Sequence, residues 1–222
     1  MQIYRDYLAP TTVIDSDNII VKDYATNAIE DAKDDTEKAV RLYYKVRDDI
    51  LYDPYSPFFL PEHYRASNII KLKRGFCVPK AVLLAALGRA VGIPTRLGFA
   101  DVKNHLSTES LIEFLGSDLF VYHGYTEFYL NGKWVKATPA FNRELCDRFN
   151  VKPLEFDGKN DSIFQQYNGE DKKFMEYVTD HGTYSDLPLE KILSAWKNEY
   201  GSRRVEGWIE TIQKYGNLHK SI

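Results

Sequence analysis

Two residues of this chain are of the types that make a thiol nucleophile site: Cys77, in Arg74-Gly75-Phe76-Cys77-Val78-Pro79-Lys80, and His123, in Tyr122-His123-Gly124-Tyr125-Thr126-Glu127. A cysteine attacks a carbonyl as its thiolate, and an imidazole within reach can take the thiol proton and return it to a leaving amine. Cys77 precedes Ala81 to Leu87, a run that is apolar all round and so reads as a central, buried helix. A thiol at such a helix start meets the positive end of the helix dipole, which lowers its pKa. It also meets backbone N–H groups that can hold a tetrahedral oxyanion. Gly75 reads as room for substrate backbone. The plainer alternative is a core cysteine and a structural histidine, the reading given to His105 and His181.

The positioning elements follow from periodicity and turn residues. Ala39, Tyr43, Val46 and Ile50 fall on one helical face, with Thr36 as the N-cap and an end before Asp53-Pro54. Residues 1–20 read as extended and turn, and 53–66 as a Pro- and aromatic-rich loop. The Cys77 helix runs over 77–91 and ends at Gly92-Ile93-Pro94. Thr95 to Val102 reads as a strand, and 104–117 as a short helix or loop. Phe120 to Leu130 and Trp134 to Ala140 read as a hairpin around Asn131-Gly132. If that is a two-residue loop, Leu130 pairs with Lys133, and counting back puts His123 opposite Ala140. Thr138 and Asn142 are then its diagonal neighbours, either able to accept a ring N–H and orient the imidazole. Later, Leu145 to Phe149 reads as a helical turn. A helix after Asp186-Leu187-Pro188 turns Leu189, Ile192, Leu193 and Trp196 inward and closes at Gly201. A last helix spans Arg203 to Tyr215.

Composition narrows the classes. The 222 residues suit a single domain over 1–222, with a core at about 36–142 and segments 1–35 and 143–222 packed on it. A net charge of −3 gives no electrostatic case for nucleic acid. No apolar run reaches the about 18 residues of a membrane span, and the start lacks a signal-peptide pattern. Cys77 and Cys146 are the only cysteines, which argues against a disulfide framework and for a reducing, cytoplasmic setting, although the sequence leaves a bridge between the two open. No Cys-x-x-Cys or His-x-x-x-His points to a metal. The acidic run Glu30-Asp31-Ala32-Lys33-Asp34-Asp35 lacks the spacing of a calcium loop and reads as a solvated helix approach. No cofactor is implied, and oligomeric state is not legible.

Gly75-x-Cys77, Leu87-x-Arg89-x-x-Gly92-Ile93-Pro94-x-Arg96, His123-x-Tyr125-x-Glu127 and Asn131-Gly132-x-Trp134 occur in that order. The arrangement resembles the transglutaminase-like superfamily. The resemblance implies an α+β fold: a papain-like core whose buried helix packs on an antiparallel sheet, here with a C-terminal helical extension. It also implies a Cys–His–Asp site. The family aspartate falls at Thr138, so the third role passes to Thr138 or Asn142, or to a carboxylate from elsewhere, Asp101, Asp157 or Asp161. Glu127 reads as a framework residue paired with Arg or Lys. Members without zinc cysteine pairs do not fit the peptide N-glycanase branch.

The function expected is thiol-dependent acyl transfer on a peptide or protein amide, hydrolytic, as in a cysteine protease or amide hydrolase. Alternatives are a protein-crosslinking transglutaminase and an inactive peptide-binding module. The tail from 143 onward is expected to cap the core and form one cleft wall, from Phe149, Phe156, Phe164, Tyr167 and Tyr177.

Overall fold

The computed structural model describes residues 2–105, 107–164 and 175–218. Its helices are α1 (Ile19–Ala28), α2 (Asp35–Asp49), α3 (Ala66–Leu72), α4 (Cys77–Ala90), α5 (Glu109–Leu115), α6 (Arg143–Arg148), α7 (Leu189–Trp196) and α8 (Ser202–Tyr215). The strands are β1 (Leu51–Tyr52), β2 (Arg74–Gly75), β3 (Thr95–Asn104), β4 (Leu119–Leu130), β5 (Lys133–Ala137) and β6 (Met175–Tyr184). Short 3-10 turns at Gln2–Tyr7 and Pro61–His63, and a π-helical turn at Lys197–Gly201, complete it. The class is α+β. A four-stranded antiparallel sheet in the order β5-β4-β3-β6 carries α4 on one face.

α4 is central because its sequence allows nothing else. Every residue from Cys77 to Arg89 is buried, so helices α1, α2 and α3 surround it on the sides the sheet leaves open. Two cations in this helix are buried by making hydrogen bonds. Lys80 donates to the carbonyls of Arg47 (3.0 Å) and Ile50, closing the C-terminal end of α2. Arg89 donates to Thr95 O (3.0 Å), Ala9 O and Ser185 O (both 2.6 Å), tying the N-terminal segment and the loop between β6 and α7 to the helix.

The resemblance motifs Ile-Pro-x-Arg, His-x-Tyr-x-Glu and Gly-x-Trp meet in one cluster. Arg96 Nε donates to Glu127 at 2.6 Å across the β3–β4 pair and lies over the Trp134 ring at 4.2 Å. Glu127 is thus the framework residue expected of it.

The hairpin register is Leu130↔Lys133 through Thr126↔Ala137, as the Asn131-Gly132 turn predicts. It stops there. Pro139 has no N–H for the ladder, so the expected pairing of His123 with Ala140 does not form; on its other edge His123 pairs with Ala100 of β3. Three other expectations change. Asp34, not Thr36, caps α2, accepting from Glu37 N at 2.8 Å, while Thr36 Oγ1 accepts from Asn131 Nδ2. Residues 1–20, read as extended, contain a 3-10 turn and the start of α1. Residues 53–66 contain the Pro61–His63 turn and lead into α3, which the sequence reading passed over. Among the described residues, no helix is long and apolar enough to cross a membrane.

Candidate active site

The short parallel pair β1–β2 delivers the chain to the site. Tyr52 pairs with Gly75, and Asp53 N donates to Gly75 O at 3.1 Å. Gly75 does not open space for substrate as expected. A Cβ there would lie 2.9 Å from Pro79 Cγ, so the glycine makes room for the proline ring in the first turn of α4. Phe76 is the N-cap and offers no side-chain hydrogen bond. The first-turn N–H groups are therefore not closed off by a capping side chain.

β4 passes directly over this turn. A Cβ on Gly124 would lie 3.0 Å from the Cα of Val78, a tight contact at which the neighbouring backbone would have to give way slightly. Cys77 and His123 both line one cavity of about 70 Å³. Burial pushes the Cys77 thiol up to about 11, against N–H groups of Gly124, Val78 and Cys77 itself that point at the sulfur and favour the thiolate. The sequence-based expectation of a lowered thiol pKa is thereby corrected: the helix start is present, but desolvation outweighs it. Burial alone pushes the His123 imidazole down to about 4. Burial thus favours the uncharged form of each group. His123 Nε2 is buried without a hydrogen-bond partner, so the thiol does not bond to it.

None of the expected orienting residues hydrogen-bonds the imidazole. Thr138 Oγ1 donates to Ser162 O at 2.8 Å. Asn142 Oδ1 accepts from Tyr52 N at 3.1 Å, holding β1 to the start of α6. Asp101 Oδ1 takes a different histidine, His181 Nε2 at 2.7 Å, together with Tyr122 N at 2.9 Å. Asp157 caps its own turn through the N–H groups of Lys159 and Asn160, and Asp161 accepts from Lys136 N. What does pack on the ring is aromatic. Phe164 stands edge-on to it at 5.2 Å, and Phe141 and Tyr52 continue the cluster. The two cysteines are both free thiols.

The C-terminal segment covers the thiol, and it does so with residues the sequence reading did not assign to that task. Trp196 Nε1 donates to Val121 O at 2.9 Å. The Tyr200 hydroxyl accepts from Val121 N (2.9 Å) and donates to Leu119 O (3.1 Å). Both side chains, with Trp208, line the Cys77 cavity. They come from three successive elements, the end of α7, the π-helical turn and α8, with Gly201 at φ 89° between the last two. Of the aromatics expected there, Phe164 contacts His123, and Phe149 lines an adjoining cavity. Phe156 instead packs on Tyr43, and Tyr177 donates nothing to the wall, its hydroxyl accepting from Phe164 N. Tyr167 lies outside the described residues.

The family model described as the transglutaminase-like superfamily matches residues 22–139, a span that holds Cys77, His123 and Thr138. The chain belongs to the transglutaminase-like superfamily. Thr138, the residue at which the resemblance puts the family aspartate, hydrogen-bonds into the core. Among solved structures it is similar to a candidate cysteine protease from Cytophaga hutchinsonii, with 17% identity and a TM-score of 0.49 over 83% of this chain and 55% of that one. It is also similar to a candidate protease from Parabacteroides distasonis, with 16% identity and a TM-score of 0.38 over 57% of this chain and 26% of that one. The chain thus spans about half the length of the first and a quarter of the second. No curated protein matches it.

Proposed function

We propose that this chain is a thiol-dependent acyl-transfer enzyme acting on amide bonds, with Cys77 as nucleophile and His123 as general base and acid. The reading rests on the close Gly124–Val78 approach and on Cys77 and His123 lining one cavity at a helix start that no side chain caps. The Cys77 sulfur attacks the carbonyl carbon while its proton passes to His123. The oxyanion is held by first-turn N–H groups. The C–N bond breaks, the imidazolium proton goes to the leaving amine, and a thioester remains on Cys77. Water, deprotonated by His123, then releases the acid and regenerates the thiol.

Because burial favours the uncharged form of each group, the proton moves as the S–C bond forms, not beforehand. Thr138 and Asn142 serve as positioning residues, acting through the backbone they tie. Substrates are peptide or protein amides. The test is release of amine from a pool of peptide amides. Wild type is expected to release it, with losses of roughly 10⁴-fold or more in Cys77→Ala. Equal release by wild type and Cys77→Ala would overturn the reading.

A second reading, an inactive peptide-binding module, is favoured by one observation: His123 Nε2 has no partner and its ring is braced by aromatics, not by a carboxylate. It is separated by the same assay, since a binding module retains peptide affinity and releases no amine.

A further inference from the structure

We infer that the site selects an amide substrate carrying a bulky, uncharged, apolar side chain next to the bond attacked; this rests on the function proposed above. Beside the Cys77 cavity lies a larger one of about 190 Å³. The two share Tyr52, Pro54, Leu111, Phe120 and His123, so His123 forms part of the wall of both. An acyl or amine group on the carbonyl attacked by Cys77 therefore has an open volume immediately past the imidazole.

The chemistry of that volume is one-sided. Phe141, Leu145, Phe149, Val151 and Met175 build it, and among the described residues no Asp, Glu, Lys or Arg lines it. A charged side chain entering it would lose its hydration with no counter-charge to meet. An apolar cavity of about 150 Å³ is known to accept a benzene ring and to stay dry when empty. The space here is of the size for an aromatic or branched aliphatic side chain. Two polar atoms on its walls are buried without a partner, His123 Nε2 and Ser107 Oγ. A purely apolar occupant would leave both unsatisfied. A peptide, with an apolar side chain and polar main-chain groups beside it, fits the whole set.

The test uses three neutral-headed alkylating probes on the full chain: N-phenethyl-, N-ethyl- and N-carboxyethyl-chloroacetamide. Each transfers its acetamide group to the Cys77 sulfur with loss of chloride, and peptide mapping assigns the modified cysteine. The phenethyl reagent is expected to modify Cys77 ~10-fold faster than the ethyl reagent or more, with a rate that saturates, and the carboxyethyl reagent to be slower than the ethyl one. Phe149→Asp, at the 45% exposed rim, is expected to collapse the phenethyl-to-ethyl ratio towards one. Equal rates for all three at Cys77 would overturn the inference and leave the thiol-site reading standing. A Cys77 that no reagent modifies in the native chain, yet all modify in urea, would overturn both.

Discussion

The Cα of Val78 and the missing Cβ of Gly124 would be only 3.0 Å apart, and this contact sets the geometry of the site. It seats β4 on the first turn of α4, aims the Gly124 N–H at the Cys77 sulfur, and places His123 at the cavity edge. Gly124→Ala must push the strand and the helix turn apart by a few tenths of an ångström. It is expected to lower stability by about 1–3 kcal/mol and amine release by more than the stability loss explains. Urea unfolding together with the amide assay checks this; unchanged activity in the variant would show that the close approach is not what aligns the pair.

Burial of His123 gives folding a pH dependence of definite sign. As pH falls through the ordinary imidazole value of 6.5, the unfolded chain takes up a proton while the folded chain resists until about 4. Stability present above 6.5 is therefore lost on the way down to about 4, by about 3 kcal/mol from this group. His63 is shifted the same way by its own burial and adds to the slope. Denaturant midpoints across that window should fall with pH in wild type and fall less in His123→Gln.

The raised thiol pKa has a kinetic signature. Burial holds Cys77 near 11, above the ordinary 9.0, so alkylation by iodoacetamide should keep rising with pH through that ordinary value. A flat, fast rate on the acid side would mean a standing thiolate–imidazolium pair and would contradict the proton-in-flight step.

Lys80 is the buried cation on which the α2–α4 packing depends. Its ammonium is pushed down to about 7 by burial yet donates to two carbonyls at the end of α2. Lys80→Met keeps the apolar stem and removes the donor, leaving the Arg47 and Ile50 carbonyls unmatched. A loss of roughly 1–3 kcal/mol is expected by chemical denaturation. A variant as stable as wild type would show that those carbonyls find other partners.

Arg96, partly exposed, pairs with the buried Glu127. Removing Arg96 leaves the 4% exposed Glu127 without its counter-charge. Arg96→Ala is expected to cost on the order of 3 kcal/mol, and the double variant Arg96→Ala with Glu127→Gln less than Arg96→Ala alone. Thermal unfolding of the set checks the coupling.

The sequence made some of this architecture legible and hid the rest for physical reasons. The α4 helix announced itself because fully buried helices lack a polar face. The hairpin register followed from Asn131-Gly132, since both residues take positive φ there. The same count failed beyond Ala137 because a proline ended the ladder, and with it went the case for Thr138 and Asn142 as direct partners of His123. β6 went unread because Glu176, Thr179, Asp180 and Thr183 give this edge strand no apolar alternation. The pairing of Asp101 with His181 joins segments 80 residues apart, which no local pattern encodes. Cys77 and His123 stand out in the sequence by type and context; the burial that favours their uncharged forms does not, because desolvation depends on what α7 and α8 cover.

The most direct test of the central claim is the intact mass of the chain quenched in acid during turnover of an acylated phenylalanine p-nitroanilide. The account predicts a mass increase equal to the acyl group, mapped as a thioester to Cys77 and absent in Cys77→Ala, with p-nitroaniline released in step with it. Release of p-nitroaniline without any acyl group on Cys77, or at an equal rate in Cys77→Ala, would contradict it.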